Sequence, residues 1–198
     1  LSGFIISYTS YSKNGNSIQI VNYIKNRIIR IYIPYLPISL VMILLYYFLP
    51  NISESSREIS LLTSLTLFPH GTPALSVAWT LTFEILFYFL FILFFISKKL
   101  WDIFIVIWVI IILFFNYISN DLIQNLESPF LILILSKYNL EFILGYLLTV
   151  LLKNQVLKSQ NLLMILSILS FIFVLLDFNY HFFDFSTNLI FSLFCMII

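Results

Sequence analysis

Apolar runs long enough to cross a lipid bilayer recur along the whole chain, and they limit its fold more than any other feature. Five of them can be read, at about residues 28–49, 77–96, 100–117, 130–152 and 162–176. A transmembrane helix needs about 20 predominantly apolar residues, and in lipid every backbone polar group must be satisfied internally. The alternating pattern of barrel strands does not occur. The sequence therefore predicts an all-α fold, a polytopic bundle of transmembrane helices in a lipid bilayer.

Composition supports a membrane protein and argues against several other classes. Of the 198 residues, 61% are hydrophobic and 10% are charged, whereas soluble domains carry about 25% charged residues. The net charge of +1 offers no basic surface to nucleic acid. The single cysteine, Cys195, excludes an internal disulfide framework, and no residues have metal-ligand spacing. We expect neither a nucleic-acid partner nor a bound metal.

Both ends of the chain fall in apolar segments that are too short to span a membrane. The chain starts at Leu1 in one such segment and stops at Ile198 in another that begins near Leu189. We interpret residues 1–198 as a single domain, an internal piece of a larger membrane protein with partial spans at both ends. Residues 61–68 are apolar but too few to cross, so they predict a half-helix or an interfacial segment.

Basic and acidic loops alternate along the chain, which predicts an orientation in the membrane. The basic loops carry Lys13, Lys25, Arg27, Arg30, Lys98, Lys99, Lys153 and Lys158. Under the positive-inside rule these loops are cytoplasmic. The first span then leaves the cytoplasm and the second re-enters it, which places Glu84 about a third of the way in from the outer side.

Glu84 is an ionisable carboxylate inside the second apolar run. A charge at membrane depth costs roughly 2.5–3.5 kcal/mol on insertion scales, so such a residue usually faces a bundle interior or a watery cavity. Thr80, Glu84 and Tyr88 are spaced i, i+4, i+8 and line one helix face. Two interpretations stay open: a hydrogen-bonded clasp between helices, or an acid/base or orienting carboxylate beside a substrate. Trp79, near the helix start, is also typical of an aromatic belt at the membrane interface.

Arg27 and Arg30 share a helix face, i and i+3, at the predicted cytoplasmic start of the first span. They are either charge anchors at the membrane surface or a phosphate-binding pair, because guanidinium groups bind phosphate through two hydrogen bonds at once. The helix N-terminus is expected to add positive potential at this place. Pro34 and Pro37 are expected to kink the helix just beyond.

The two histidines give weaker signals. His70 lies in the turn-rich outer loop 69–73. Loop histidines are more often solvated than catalytic, so His70 is a weak catalytic candidate. His181 lies among aromatic residues in another outer loop, where we expect it to be solvated.

Four short segments are similar to motifs of one enzyme family. Residues 1–7 look like the end of its second helix, and residues 26–35 are similar to its R-x-x-R-I-x-P-x-Y segment. Residues 78–88 look like its W-S/T-L-S-x-E-x-x-F-Y signature, and residues 140–145 are close to its L-x-E-F-x-L-G block. With all four in the expected order, the chain resembles the integral-membrane acyltransferase family 3, the bacterial sugar and exopolysaccharide O-acyltransferases.

The resemblance implies transfer of an acyl group from acyl-CoA, acetyl-CoA in the simplest case, to a sugar hydroxyl of a cell-surface or exported polysaccharide. It implies a bacterial inner-membrane location, with the acyl donor at Arg27 and Arg30 on the cytoplasmic side. It also implies that Glu84, with Thr80 and Tyr88, belongs to the reaction site or its support. The family's key histidine lies upstream of Leu1, so this piece alone is expected to be inactive.

A non-enzymatic polysaccharide flippase or transporter is the alternative, because polar residues within spans suit either class. A transporter is expected to show internal repeats with interrupted helices at corresponding positions. The sequence contains no such pairing, and the order of the motifs favours the enzyme.

Overall fold

The computed structural model describes residues 2–11, 17–48, 59–118, 126 and 128–154, with five further positions between 165 and 172. The described residues are almost entirely helical. In chain order the α-helices are α1 (Ser2–Ser10), α2 (Ser17–Phe48), α3 (Leu61–Thr66), α4 (Ala78–Leu90), α5 (Ile92–Ile96), α6 (Lys98–Leu113), α7 (Pro129–Leu135) and α8 (Asn139–Lys153). A π-helical turn, Phe114–Ile118, extends α6.

Four helical stretches are long and apolar enough to cross a membrane: Ile20–Phe48, Ala78–Ile96, Lys98–Asn116 and Pro129–Lys153. They confirm the predicted all-α transmembrane bundle. Three of them match the predicted runs to within two residues at each end, whereas the first begins eight residues earlier than predicted. The fifth predicted run lies largely outside the described residues, as do Lys13 and Lys158.

Side chains on the outer faces of these stretches fit a lipid environment. Large apolar residues such as Ile33 and Val41 on α2, and Val106 and Ile110 on α6, are more than half exposed. In water, apolar surface of this extent would mark a binding face or an aggregation hazard. In a bilayer it is the expected lipid contact.

The described chain forms two compact units, which are considered separately. One contains Leu1–Lys13 and Lys137–Ile198, and the other contains Asn14–Ser136. The interpretation of residues 1–198 as one domain stays a prediction.

In the first unit, α1 and α8 pack through their backbones. A Cβ atom on Gly3 would lie 2.8 Å from Phe142 Cα, and one on Gly145 would lie 2.5 Å from the backbone nitrogen of Phe4. Thr149 is fully buried, and its hydroxyl donates to the carbonyls of Gly145, at 3.1 Å, and Phe4, at 3.4 Å. Small residues at a membrane helix interface allow this approach, because association there depends on close packing rather than on the hydrophobic effect.

Substituting Gly145 with alanine is expected to destabilise this unit. The added methyl group meets backbone atoms, which cannot rotate away, and overpacking of this kind costs about 1–3 kcal/mol. Alanine also gains up to about 1 kcal/mol of helix propensity over glycine, so the net loss is roughly 1–2 kcal/mol. The measurement is the thermal unfolding midpoint in detergent, with Leu147→Ala on an exposed position of α8 as the control. A midpoint as high as that of the unsubstituted protein would contradict the packing described here.

In the second unit, hydroxyl groups of α2 cap the C-terminal end of α3. The carbonyl oxygen of Ser64 accepts hydrogen bonds from Tyr35 and Ser39, both at 2.7 Å, and that of Thr66 accepts one from Tyr32 at 2.6 Å. The last carbonyls of a helix have no partner within it. Three side chains of α2 therefore satisfy the last carbonyls of α3. For residues 61–68 the sequence predicted a half-helix or an interfacial segment, and the structure shows a short helix over Leu61–Thr66.

The fourth span is interrupted between α7 and α8, at residues 136–138. Side chains from the α6 region supply donors to the carbonyls at the end of α7. Trp108 Nε1 donates to the Ile134 carbonyl at 3.0 Å, and Asn116 Nδ2 donates to that of Leu135 at 2.8 Å. These two bonds stabilise a helix end that would otherwise leave polar groups unsatisfied.

An aromatic cluster fixes α4 and α5 against α6. Trp101, fully buried, packs edge-on against Phe87 and Phe91, with ring centroids 6.0 and 5.3 Å apart. Phe91 also stacks on Phe94 at 4.8 Å. Buried aromatic residues contribute large apolar areas and prefer such geometries. Phe91 follows Glu84 by seven residues, which is about two helical turns, so the aromatic cluster borders the polar residues of α4 discussed below.

Candidate functional site

Glu84 and Tyr88 of α4 are joined by a hydrogen bond. The Tyr88 hydroxyl donates to Glu84 Oε2 over 3.4 Å, which is long for a bond of this type. Glu84 is half-buried and Tyr88 is buried. The contact confirms that these residues share a helix face, as their i, i+4 spacing predicts.

The guanidinium of Arg27, from α2, lies beside the same tyrosine. Its Cζ atom is 5.6 Å from the centroid of the Tyr88 ring and 5.8 Å from that of Tyr23. Both distances lie within the range of a cation–π interaction. The structure thus brings together three of the six residues that the sequence singled out: Arg27, Glu84 and Tyr88.

Packing between α2 and the α4–α5 stretch brings Arg27, Glu84 and Tyr88 together, and we call these three residues the polar cluster. Tyr23 is buried against Phe95 and Phe91, at centroid distances of 5.0 and 6.0 Å. One helical turn further along α2, Arg27 reaches Tyr88. Because positions increase along one helix as they decrease along the other, the two helices run antiparallel, as expected of consecutive spans.

The predicted place of the arginines within their helix is wrong. The sequence put Arg27 and Arg30 at the start of the first span, beside a helix N-terminus. In the structure α2 begins at Ser17, ten residues before Arg27, which is about 15 Å along the axis. The field of a helix terminus falls off within the first turn, so it does not add to the potential at Arg27. The helix also continues through Pro34 and Pro37.

Thr80 and Trp79 take separate positions at the start of α4. The Thr80 hydroxyl donates to the Val77 carbonyl of its own helix at 2.8 Å. Trp79 is 48% exposed and meets Phe83 edge-on, which fits an interfacial aromatic. A catalytic part for Thr80 stays a prediction.

His70 is exposed in the loop after α3. Its backbone N–H donates to the Phe68 carbonyl at 2.8 Å. With Leu62, Thr66 and Phe68 it lines an open, mostly apolar groove. Among the described residues, no contact joins His70 to Glu84, Tyr88 or the arginines. His181 lies outside the described residues.

Tyr23 adjoins the polar cluster through its contact with Arg27, and the sequence patterns did not single it out. Its i, i+4 spacing from Arg27 is the signal that could have found it, but tyrosine is common in this chain, with 12 copies. Within the ranges that the structure describes, no group of three or more histidine, cysteine or acidic residues is placed to hold a metal ion.

The whole chain, residues 1–198, matches the model of a family described as an acyltransferase domain. The chain belongs to acyltransferase family 3. No curated protein and no solved structure gave a significant match. Family membership supports a membrane acyltransferase, and the resemblance of the four motifs is thereby confirmed at the level of the family.

The four family-like segments form two pairs in the structure. Segments 26–35 and 78–88 meet where Arg27 contacts Tyr88, and segments 1–7 and 140–145 meet where Gly3 and Gly145 bring α1 and α8 together. The second pair is explained by packing alone. The first pair gathers a carboxylate, a phenol and guanidinium groups, which can accept a proton, donate a hydrogen bond and bind an anion.

Proposed function

We propose that this acyltransferase transfers an acyl group, acetyl in the simplest case, from acyl-CoA to a sugar hydroxyl of a cell-surface or exported polysaccharide. The observation that carries the proposal is the contact of Arg27 with Tyr88, which is itself bonded to Glu84. It joins an anion-binding group to a potential base within one unit of an acyltransferase-family chain.

The reaction needs a proton acceptor and a binding site for the donor. The sugar oxygen attacks the thioester carbonyl carbon, a C–O bond forms, and the C–S bond breaks. The hydroxyl proton leaves with the base, and the coenzyme A thiolate takes up a proton as it departs. We assign Glu84 as the base, or as a residue that orients the base through its charge. A general base must lie within hydrogen-bond reach of the proton that it takes.

The arginines bind the phosphates of the donor. Phosphate oxygens accept paired hydrogen bonds from a guanidinium, and the positive charge offsets theirs. Arg27 is half-buried and Arg30 is exposed, so Arg27 is the more enclosed of the two. The basic loops favour the cytoplasmic side of a bacterial inner membrane for this donor site.

A polysaccharide transporter is the second candidate. The interruption of the fourth span at residues 136–138 favours it, because broken helices often mark transport sites. Family membership favours the enzyme.

Oriented membrane vesicles containing the full-length protein would test both candidates and the side of the donor. With acetyl-labelled acetyl-CoA outside, inside-out vesicles are expected to acylate the polysaccharide, whereas right-side-out vesicles are not. Transfer only in right-side-out vesicles would contradict the predicted orientation and place the donor site on the outer side. Movement of unmodified sugar across the membrane, without label transfer, would favour the transporter.

A further inference from the structure

Tyr23 contacts its neighbours through its ring rather than through its hydroxyl. The residue is only 8% exposed, and its hydroxyl has no hydrogen-bond partner among the described residues. A buried unpaired hydroxyl costs free energy that phenylalanine would avoid. The ring, by contrast, contacts Phe91 and Phe95 and lies under the Arg27 guanidinium.

Two rings from different helices therefore contact one guanidinium. Tyr23 comes from α2 itself, one turn before Arg27, and Tyr88 comes from α4. Tyr88 is further held by its bond to Glu84, and Tyr23 is held by the two phenylalanines, so both rings are fixed before any ligand arrives.

Fixing a guanidinium in advance favours anion binding. An arginine side chain loses much rotational freedom when it is ordered, and a site that is already ordered binds its ligand more tightly. Aromatic rings attract the cation over their faces, whereas the N–H donors of a guanidinium lie in its plane. Ring contact and phosphate binding therefore use different parts of the group.

We propose that Tyr23 is a positioning residue for acyl-donor binding: with Tyr88, its ring holds the Arg27 guanidinium in the orientation that accepts a phosphate of acyl-CoA. This inference rests on the proposed function, which assigns the donor phosphates to the arginines. It adds a residue that lies outside the family-like segments and that contacts Arg27, Phe91 and Phe95.

The test measures KM for acetyl-CoA and kcat in the full-length protein. Tyr23→Leu removes the ring face and is expected to raise the donor KM roughly 3- to 30-fold, with kcat little changed. Tyr23→Phe keeps the face and is expected to leave both constants near their original values. Tyr47→Leu is the matched control, since Tyr47 lies on the same helix but is 79% exposed.

Several outcomes would overturn the proposal. An unchanged donor KM in Tyr23→Leu removes the positioning role, and an equal loss in Tyr23→Phe transfers the effect to the hydroxyl. If Tyr23→Leu does not accumulate in membranes, phenylalanines with increasing fluorine content at position 23 keep the shape while weakening the cation–π interaction. The donor KM must then rise with each fluorine, and a flat series overturns the proposal.

A double-mutant cycle separates this inference from the proposed function. Tyr23→Leu and Arg27→Gln are combined, and their effects on the thermal unfolding midpoint are compared with those of the single variants. Non-additive effects together with a normal donor KM in Arg27→Gln would retain the ring contact and reject the donor site. A raised KM in Arg27→Gln with additive effects would retain the donor site and reject the role of Tyr23.

Discussion

Replacing Glu84 with glutamine is expected to lower the rate of acyl transfer by about 10²–10⁴-fold, the usual contribution of a general base. The substitution keeps the shape of the side chain and its carbonyl oxygen, which can still accept the bond from Tyr88. Only the negative charge and the ability to take a proton are lost. The rate is measured as acyl transfer to polysaccharide by the full-length protein, at saturating acetyl-CoA.

The glutamine variant distinguishes the two interpretations that the sequence left open for Glu84. If Glu84 serves only as a hydrogen-bonded clasp, glutamine preserves the clasp and transfer continues. The matched control is Asp102→Asn, which makes the same carboxylate-to-amide change at an exposed position of α6 in the same unit. Expression and the thermal unfolding midpoint must stay near the original values in both variants. Near-normal acylation by Glu84→Gln would return this residue to a structural role.

The spans could be predicted from sequence because the bilayer imposes their length and apolarity. The start of α2 could not, since Tyr23, Lys25, Asn26 and Arg27 lower the hydropathy before Ile28. The helix nevertheless starts at Ser17, and Tyr23 packs against Phe95 on α5. The packing of α2 against α5 therefore begins before the residue at which hydropathy marks the start of the span.

Contacts within one helix were predictable, and contacts between helices were not. The i, i+4 spacing of Glu84 and Tyr88 is a property of any α-helix. The meeting of Arg27 with Tyr88 depends on the register between α2 and α4, and a shift of one turn, about 5.4 Å, would bring Arg27 to the level of Glu84 or of Phe91. Neither helix alone encodes that register. It depends on the aromatic contacts of Tyr23 with Phe91 and Phe95.

Because the register between helices cannot be predicted from sequence, the arginines and Glu84 were predicted to lie apart. The sequence placed the arginines at the cytoplasmic entrance and Glu84 in the outer third of the membrane. In the structure Arg27 lies ten residues into its helix, and Tyr88 contacts both Arg27 and Glu84. Because Tyr88 contacts both, the proposed donor-binding group and the proposed base lie close together in one unit.

Replacing both Arg27 and Arg30 with lysine is expected to raise the KM for acetyl-CoA at least about tenfold. Lysine keeps the charge but presents a compact ammonium in place of a planar fork, and a lost hydrogen bond to a charged group costs roughly 1.5–3 kcal/mol. In Arg27 the change also alters the contact with Tyr23 and Tyr88. The half-buried Arg27 is therefore expected to contribute more than the exposed Arg30 when each is replaced singly. The measurement is the donor KM, with coenzyme A affinity determined separately by calorimetry.

Because lysine conserves the positive charge, this substitution distinguishes phosphate binding from membrane anchoring. If the arginines only anchor the helix at the membrane surface, lysine serves equally well, and the donor KM stays at its original value. Lys25→Arg, at an exposed position of the same helix, makes the reverse exchange and is expected to leave KM unchanged. An unaltered coenzyme A affinity in a folded double variant would assign the pair to membrane anchoring. A selective loss of donor affinity, with orientation and stability intact, is expected of phosphate binding and not of membrane anchoring, because net charge and the positive-inside signal are the same in both proteins.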